Sequence, residues 1–159
     1  MNAKQIIQKF HLKPHPEGGY YSETYRSAEF LVNNKGEKRN VTSAIYFLLE
    51  NQDRSHFHRI KSDELWFFHQ GEPLEIVMIQ NGQIISIILG NNIEKGEIPQ
   101  ARIPSNIWFA SKIKTGMGYS LVSCIVSPGF DFVDFELAQR QKLLQNYPHL
   151  KNAVEEFTK

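Results

Sequence analysis

The sequence is short of cysteine, of long apolar runs and of excess charge of either sign. Cys124 has no second cysteine with which to form an internal disulfide, as expected in a reducing compartment. No stretch approaches the ~20 apolar residues of a membrane span, and the N-terminus has no apolar signal core. With Lys and Arg totalling 18 against 17 Asp and Glu, no basic stripe favours nucleic acid. We therefore expect a cytoplasmic, soluble protein that binds neither nucleic acid nor membranes.

Apolar runs separated by turn residues make up most of the chain. The 159 residues suit a single domain, and 41% hydrophobic and 12% aromatic residues are typical of a globular protein in which strands are favoured. Asn81 and Gly82 give the sharpest hairpin signal, because both residues readily adopt the positive φ angles of a tight turn. The predicted strands include residues 20–27, 41–49, 74–80, 83–89 and 119–126.

Helical spacing occurs at the two ends of the chain. Near the N-terminus, apolar residues recur at helical intervals at Ala3, Ile6, Ile7 and Phe10. Asn2 is available as the N-cap of this helix, similar spacing recurs over 137–157, and residues 33–37 form a polar loop. We therefore predict an all-β jelly-roll barrel at about 20–132, with a short N-terminal helix and a C-terminal helical segment at about 134–157.

Three of the six histidines lie within fourteen residues, at His56, His58 and His69. Because side chains alternate along a strand, His56 and His58 are predicted on one face, where two imidazoles suit a metal ion. Glu64 follows a short polar turn and is placed to return a carboxylate from the next strand. Two histidines and one carboxylate leave coordination positions open for substrate or water. The alternative is that both histidines are ordinary polar surface residues.

The pattern His56-x-His58, Glu64 and Gly71 resembles the first motif of the cupin superfamily. In that family the two histidines and the glutamate are metal ligands, and the glycine begins the turn to the next strand. Five residues separate His58 from Glu64 here, where the family usually has three or four. The resemblance implies His56, His58 and Glu64 as both metal ligands and catalytic residues.

The second cupin motif is incomplete. Pro104 matches it, and Asn106 replaces a glycine, which is tolerable because asparagine also adopts positive φ. Phe109 stands where the family has its fourth ligand, a histidine. The resemblance therefore leaves two alternatives, one divalent transition metal ion of unknown identity or no metal.

Longer segments are similar to one small, single-domain cupin subfamily of unknown function. They include PHPEGGYY (14–21), SHFHR (55–59), SDELW (62–66) and SPGFDF (127–132). The similarity runs from about residue 12 to 148, nearly the whole chain. It implies the cupin double-stranded β-helix, a jelly roll like that of germin-like proteins and sugar-nucleotide epimerases. By analogy with cupins, it also implies a homodimer.

Several further side chains are candidates for substrate binding. Trp66 and Phe68 share the predicted strand face of Glu64, and Tyr25 shares a face with Glu23 on an earlier strand. All of these faces are candidates for the lining of a barrel cavity. The substrate-binding candidates are Glu17, Tyr20, Tyr25, Trp66, Phe68, Trp108 and Asp131.

Three of these candidates lie outside the histidine segment. Glu17 precedes Gly18 and Gly19, which allow close approach of the backbone to a ligand or another strand. Trp108 is expected either to stack on a sugar ring or to be a core residue. Asp131 follows a Pro-Gly turn at a barrel mouth, and helix capping is its alternative role.

These features favour an enzyme acting on a small polar metabolite, a carbohydrate or sugar phosphate, by isomerisation or epimerisation. Such a reaction needs a base next to a carbonyl, a role for His56 or His58 without metal, or for the His56–His58–Glu64 set with a metal. One alternative is a metal-dependent oxygenase on two histidines and one carboxylate. The other is a ligand-binding cupin without catalytic activity.

Overall fold

The computed structural model describes residues 1–32 and 36–159, so three residues of the polar loop predicted at 33–37 lie outside it. Helix α1, Ala3–Lys9, begins the chain. The Asn2 side chain accepts a hydrogen bond from the Gln5 backbone, and the Gln5 side chain accepts one from the Asn2 backbone. This capping box confirms the predicted helix and its N-cap.

Antiparallel strands are the main regular structure of the remaining chain. In chain order they are β1 (Lys13–Pro14), β2 (Tyr20–Arg26), β3 (Phe30–Val32), β4 (Lys38–Asn40), β5 (Ser43–Glu50), β6 (Arg54–Arg59), β7 (Asp63–Gly71), β8 (Leu74–Gln80), β9 (Gln83–Leu89), β10 (Gln100–Ile103), β11 (Trp108–Ile113), β12 (Tyr119–Ser127) and β13 (Glu136–Leu137). The hairpin of β8 and β9 turns at Asn81 and Gly82, both with positive φ, as predicted.

Two sheets face each other across the core. One has the strand order β1-β2-β5-β12-β7-β10 and the other β13-β6-β11-β8-β9, while β3 and β4 form a separate hairpin. Phe47, Trp66 and Val122 of the first sheet pack against Ile76 and Phe109 of the second, and all five are fully buried. The predicted all-β jelly roll with flanking helices is therefore confirmed.

The helices cover the outer faces of the sheets. Ile6 of α1 packs on Leu48 and Leu121 of the six-stranded sheet. Helices α2, Arg140–Asn146, and α3, Lys151–Glu156, cover the five-stranded sheet. None of the described helices is long and apolar enough to cross a membrane.

Candidate functional site

A cavity of about 470 Å³ opens between the two sheets. Strands β2, β5, β6, β7 and β12 supply most of its wall, and residues 130–135 cover one side. Of the residues predicted from sequence, Glu17, His58, Glu64, Trp66 and Asp131 line it. Its volume lies within the range of small-molecule sites, roughly 300–1,000 Å³.

The turn before β2 carries Glu17 into this cavity. Gly18 and Gly19 both have positive φ, at 113° and 70°. A side chain on Gly18 would overlap the carbonyl oxygen of Arg54, because the turn lies directly against β6. The predicted close approach is therefore to another strand. It leaves the Glu17 side chain buried, with 5% of the residue exposed.

The Glu17 carboxylate is held by three side chains. Oε2 lies 3.0 Å from His58 Nε2 and 3.4 Å from His15 Nδ1, and Oε1 accepts a 2.9 Å hydrogen bond from Ser55 Oγ. Burial raises the pKa of Glu17, but the charge and hydrogen bond of His58, with His15 and Ser55, outweigh that effect. The net pKa lies below its usual value, so Glu17 is the anion of a buried ion pair.

His58 is the cation of that pair. Its Nδ1 lies 2.8 Å from the carbonyl oxygen of His56, and its Nε2 faces Glu17. Because both partners accept hydrogen bonds, both ring nitrogens must carry a proton. Burial lowers the pKa of His58, but attraction to Glu17 and the hydrogen bonds to Glu17 and His56 raise it above its usual value overall.

An extra residue in β6 separates the two histidines predicted on one face. Ser55 pairs with Ser111 and His58 with Phe109, so two residues of β6 stand opposite one residue of β11. Such a β-bulge breaks the alternation of side chains. The side chains that turn inward are Ser55 and His58, and the expected shared face of His56 and His58 is wrong.

His56 lies outside the cavity lining and has a different contact. Its backbone N–H and its Nδ1 both meet the carbonyl oxygen of Glu17, at 2.8 and 2.6 Å. His56 therefore helps to hold the turn that carries Glu17. No three His, Cys, Asp or Glu side chains of the described residues are arranged to hold a metal ion.

The side chains at the ligand positions do not fit the metal site that the cupin motif implies. Both ring nitrogens of His58 are already engaged, one with the Glu17 carboxylate. Phe109, at the position of the fourth ligand, packs its ring 4.1 Å from that of His58. The structure therefore does not assemble His56, His58 and Glu64 as a ligand set.

Glu64 is the second buried carboxyl of the cavity. Burial raises its pKa, attraction to His58 lowers it and the Glu17 charge raises it again, for a net value of about 7. The Cys124 thiol and the Trp66 indole, as hydrogen-bond donors to the carboxyl, also lower this pKa. Burial, with the two nearby carboxyls, raises the pKa of Cys124, in agreement with its predicted role as a buried hydrophobe rather than a nucleophile. Glu64 thus changes its charge near neutral pH.

A second bulge alters the prediction for β2. Glu23 pairs with Ile45 and Tyr25 with Ala44, which leaves one residue of β2 unpaired between them. Glu23 lines the cavity with Arg26, while Tyr25 is 55% exposed and lies outside it. The expected shared face of Glu23 and Tyr25 is therefore wrong.

Three other predicted binding residues lie outside the cavity lining. Tyr20 packs in the cluster beneath α1, and Phe68 packs against the main core. Trp108 is partly buried beneath the C-terminal helices, with the Arg59 guanidinium 4.4 Å over its ring. Asp131 lines the cavity, and its carboxylate accepts a 3.0 Å hydrogen bond from the Val133 N–H in a 3₁₀ turn.

An aromatic group around His15 was missed by the sequence reasoning. The His15 ring lies 4.6 Å from Tyr21 and about 6 Å from Phe132 and Phe135. Asp134 anchors this segment through ion pairs with Arg39 and Lys61. The signal was present in the run of phenylalanines after the Pro-Gly turn, but only the fold brings that run to His15.

Comparisons with known proteins agree with this architecture. A family model described as the cupin superfamily (DUF985) matches residues 4–138. A solved structure of a hypothetical protein from Leishmania major is 37% identical, with a TM-score of 0.93 and 99% of each chain covered. One from Shewanella oneidensis is 40% identical, with a TM-score of 0.92 over 100% of this chain and 98% of the other. An uncharacterized protein of Saccharomyces cerevisiae is 26% identical over 97% of this chain and 84% of its own. The chain therefore belongs to the cupin superfamily, in the family DUF985.

Proposed function

We propose that the cavity binds a small carbohydrate or sugar phosphate and catalyses its isomerisation or epimerisation. The observation that carries the proposal is the buried Glu64 carboxyl, whose pKa of about 7 lies in the range of an effective general base at neutral pH. Perturbed pKa values within a cavity are characteristic of functional sites. The names of the relatives given above state no activity, so the proposal rests on the site itself.

The reaction begins with proton transfer to Glu64. The carboxylate accepts the proton of a carbon next to the substrate carbonyl, and the electron pair of that C–H bond passes to the carbonyl oxygen. The resulting enolate is stabilised by the positive charge of His58, which Glu17 keeps protonated. Return of the Glu64 proton to the former carbonyl carbon, while the hydroxyl proton of the neighbouring carbon moves to the enolate oxygen, gives the isomer. Protonation of the original carbon on its opposite face by solvent water gives the epimer, and Glu64 then releases its proton to solvent.

The composition of the wall supports a small polar ligand. Phe130, Phe132 and Phe135 line the cavity, and aromatic rings are suited to packing against a sugar. Lys13, which also lines the cavity, has no carboxylate partner among the described residues and lies 5.1 Å over the Tyr21 ring. Its charge suits the phosphate of a sugar phosphate.

The oxygenase alternative has less support. It requires His56, His58 and Glu64 around one iron, and the β6 bulge separates His56 from His58.

The Arg26 guanidinium in the cavity wall already has partners, because it pairs with Glu23 at 2.6 Å and donates to the carbonyl oxygen of Phe130. Arg26 is therefore a part of the cavity wall rather than a free anion clamp.

The proposal is tested by hydrogen exchange from substrate carbon. We expect the wild-type protein in D₂O to place deuterium next to the carbonyl of at least one ketose or aldose phosphate, as measured by mass spectrometry. Glu64→Gln should lower this rate roughly 100-fold or more, because the general base is lost. Glu94→Gln, a change of an exposed glutamate, is the matched control and should leave the rate unchanged.

Three outcomes separate the candidate functions. Exchange that persists undiminished in Glu64→Gln contradicts the assigned base. Ligand binding, detected as a raised melting temperature, without any exchange supports the non-catalytic cupin. Exchange that needs added iron or manganese in the wild-type protein contradicts the metal-free site.

A further inference from the structure

One histidine of the cavity wall takes no part in the reaction as described so far. His15 lines the cavity, with 6% of its side chain exposed. Tyr21, Phe132 and Phe135 surround its ring, at 4.6, 6.1 and 5.9 Å between ring centroids. These contacts restrain the plane of the imidazole, so packing sets the direction of each ring nitrogen.

The backbone of Glu17 determines which ring nitrogen of His15 carries the proton. The Glu17 N–H donates a 3.3 Å hydrogen bond to His15 Nδ1 and has no other acceptor among the described residues. A proton on Nδ1 would replace the lone pair that accepts this bond. Burial lowers the pKa of His15 overall, although attraction to Glu17 opposes it, so the ring is neutral at pH 7. Its single proton therefore lies on Nε2.

The Nε2 atom of His15 is available to a ligand. It has no hydrogen-bond partner among the described residues, and it is not one of their fully enclosed unpaired polar atoms. The open space beside the ring is the cavity that His15 lines. The neutral imidazole thus presents one unpaired N–H donor to that cavity.

His58 cannot supply this donor. Its Nδ1 meets the carbonyl oxygen of His56 and its Nε2 meets Glu17 Oε2, so neither N–H is left for a ligand. His15 Nδ1 lies 3.4 Å from the same Glu17 oxygen, which makes the two imidazoles neighbours in the cavity. His58 therefore contributes positive charge, and a direct hydrogen bond to a ligand oxygen must come from another side chain.

We infer that His15 donates its Nε2–H to the carbonyl oxygen of the substrate, while Glu64 accepts the proton of the adjacent carbon. The inference rests on the proposed function, names a further catalytic residue for it and narrows its substrates to open-chain ketoses and aldoses. Negative charge develops on this oxygen as the C–H bond breaks, so the hydrogen bond strengthens toward the transition state. A neutral imidazole is suited to polarising a carbonyl in this way.

NMR of ¹⁵N-histidine-labelled protein tests the donor directly. Two-bond correlations from the carbon-bound ring protons distinguish the two neutral tautomers, and His15→Asn identifies the His15 signals among those of the six histidines. We expect a protonated Nε2 and an unprotonated Nδ1 at pH 8. Saturating dihydroxyacetone phosphate or ribulose 5-phosphate should move the Nε2 resonance downfield, and ribitol 5-phosphate, which has no carbonyl, should move it clearly less.

Two variants separate the donor from the packing of the ring. In His15→Asn the short amide still reaches the Glu17 N–H but not the position of Nε2, whereas the longer amide of His15→Gln places a donor there. We expect His15→Asn to lower deuterium exchange at saturating ketose roughly 100-fold, as for loss of one donor to an oxyanion. His15→Gln should remain within roughly tenfold of the wild type. His69→Asn, a histidine outside the cavity lining, is the control and should leave the rate unchanged.

Several outcomes overturn the inference. One is a proton on Nδ1 rather than Nε2, and another is a resonance that no ketose moves or that ribitol 5-phosphate moves equally. Equal losses in His15→Asn and His15→Gln would mean that the ring acts only through packing. If His15→Asn fails to fold, His15→Gln assigns the signals and the NMR measurement on the wild-type protein decides.

The failure of this inference differs from the failure of the proposed function. Exchange that requires Glu64 but is undiminished in His15→Asn keeps the isomerase and removes His15 as its donor. A ketose-specific shift at His15 Nε2 without any deuterium exchange keeps His15 as a ligand donor and removes the isomerase.

Discussion

Glu64 has its carboxyl between the two sheets, where burial favours the neutral form and raises the pKa from 4.5 to about 7. Glu17 is equally buried, yet its pKa lies below the usual value because His58, His15 and Ser55 surround it. At mildly acidic pH, therefore, the Glu64 carboxyl is neutral while the Glu17 carboxyl in the same cavity is ionised. Such a separation of pKa values assigns one residue to proton transfer and the other to a fixed charge.

The raised pKa of Glu64 predicts how stability depends on pH. Between pH 4.5 and about 7 the folded chain keeps a proton on Glu64 that the unfolded chain releases. The contribution of Glu64 to the free energy of unfolding is therefore complete below pH 4.5 and is lost as the pH rises through 7. Because glutamine does not ionise, the Glu64→Gln variant does not lose this stability as the pH rises. At pH 8 we expect the variant to exceed the wild type by up to about 3 kcal/mol in free energy of unfolding, and by less at pH 5.

Denaturant unfolding at both pH values measures this difference. Glu94→Gln changes an exposed glutamate and should follow the wild type at each pH. A constant difference between Glu64→Gln and wild type across the range would mean that Glu64 titrates alike in the folded and unfolded chains.

At the scale of elements, the turn at Gly18 and the bulge in β6 build the ion pair together. The turn lies against the backbone of Arg54, and the bulge points Ser55 and His58 at the carboxylate that the turn delivers. Neither feature alone brings Glu17 and His58 to 3.0 Å. The site therefore depends on a backbone contact between the segment before β2 and β6.

Substitution of glycine tests this contact. Gly18→Ala and Gly96→Ala both place a side chain at positive φ, at 113° and 78°, which costs roughly 1–2 kcal/mol or more in stability. Gly96 has open space around it, whereas a Cβ on Gly18 overlaps the Arg54 carbonyl. In thermal unfolding we expect Gly18→Ala to lose clearly more stability than Gly96→Ala, and equal losses would contradict the close approach.

Local sequence signals predicted the elements well and the site less well. The Asn81-Gly82 hairpin and the Asn2 cap depend on neighbouring residues, so the sequence contains all the information for them. A bulge adds one residue without changing the apolar pattern, so strict alternation placed His56 and Tyr25 in the cavity. The Glu17 to His58 contact joins positions far apart in the chain, which no local pattern reports.

At the scale of the whole molecule, the jelly roll brings the site together from separate segments. Glu17 precedes β2, His58 lies on β6 and Glu64 on β7, and residues 130–135 follow β12. The Leishmania and Shewanella structures have this fold over nearly the full chain, with TM-scores of 0.93 and 0.92. The predicted homodimer and the predicted cytoplasmic location stay predictions.

The most direct test of the account is an NMR titration of the two central groups. Carboxyl carbon resonances follow Glu64, and imidazole nitrogen resonances follow His58, with Glu64→Gln and His58→Gln for assignment. The account predicts a Glu64 midpoint near pH 7 and a His58 midpoint above its ordinary value of 6.5. A Glu64 midpoint near 4.5, or a His58 ring that is neutral at pH 6, would contradict it.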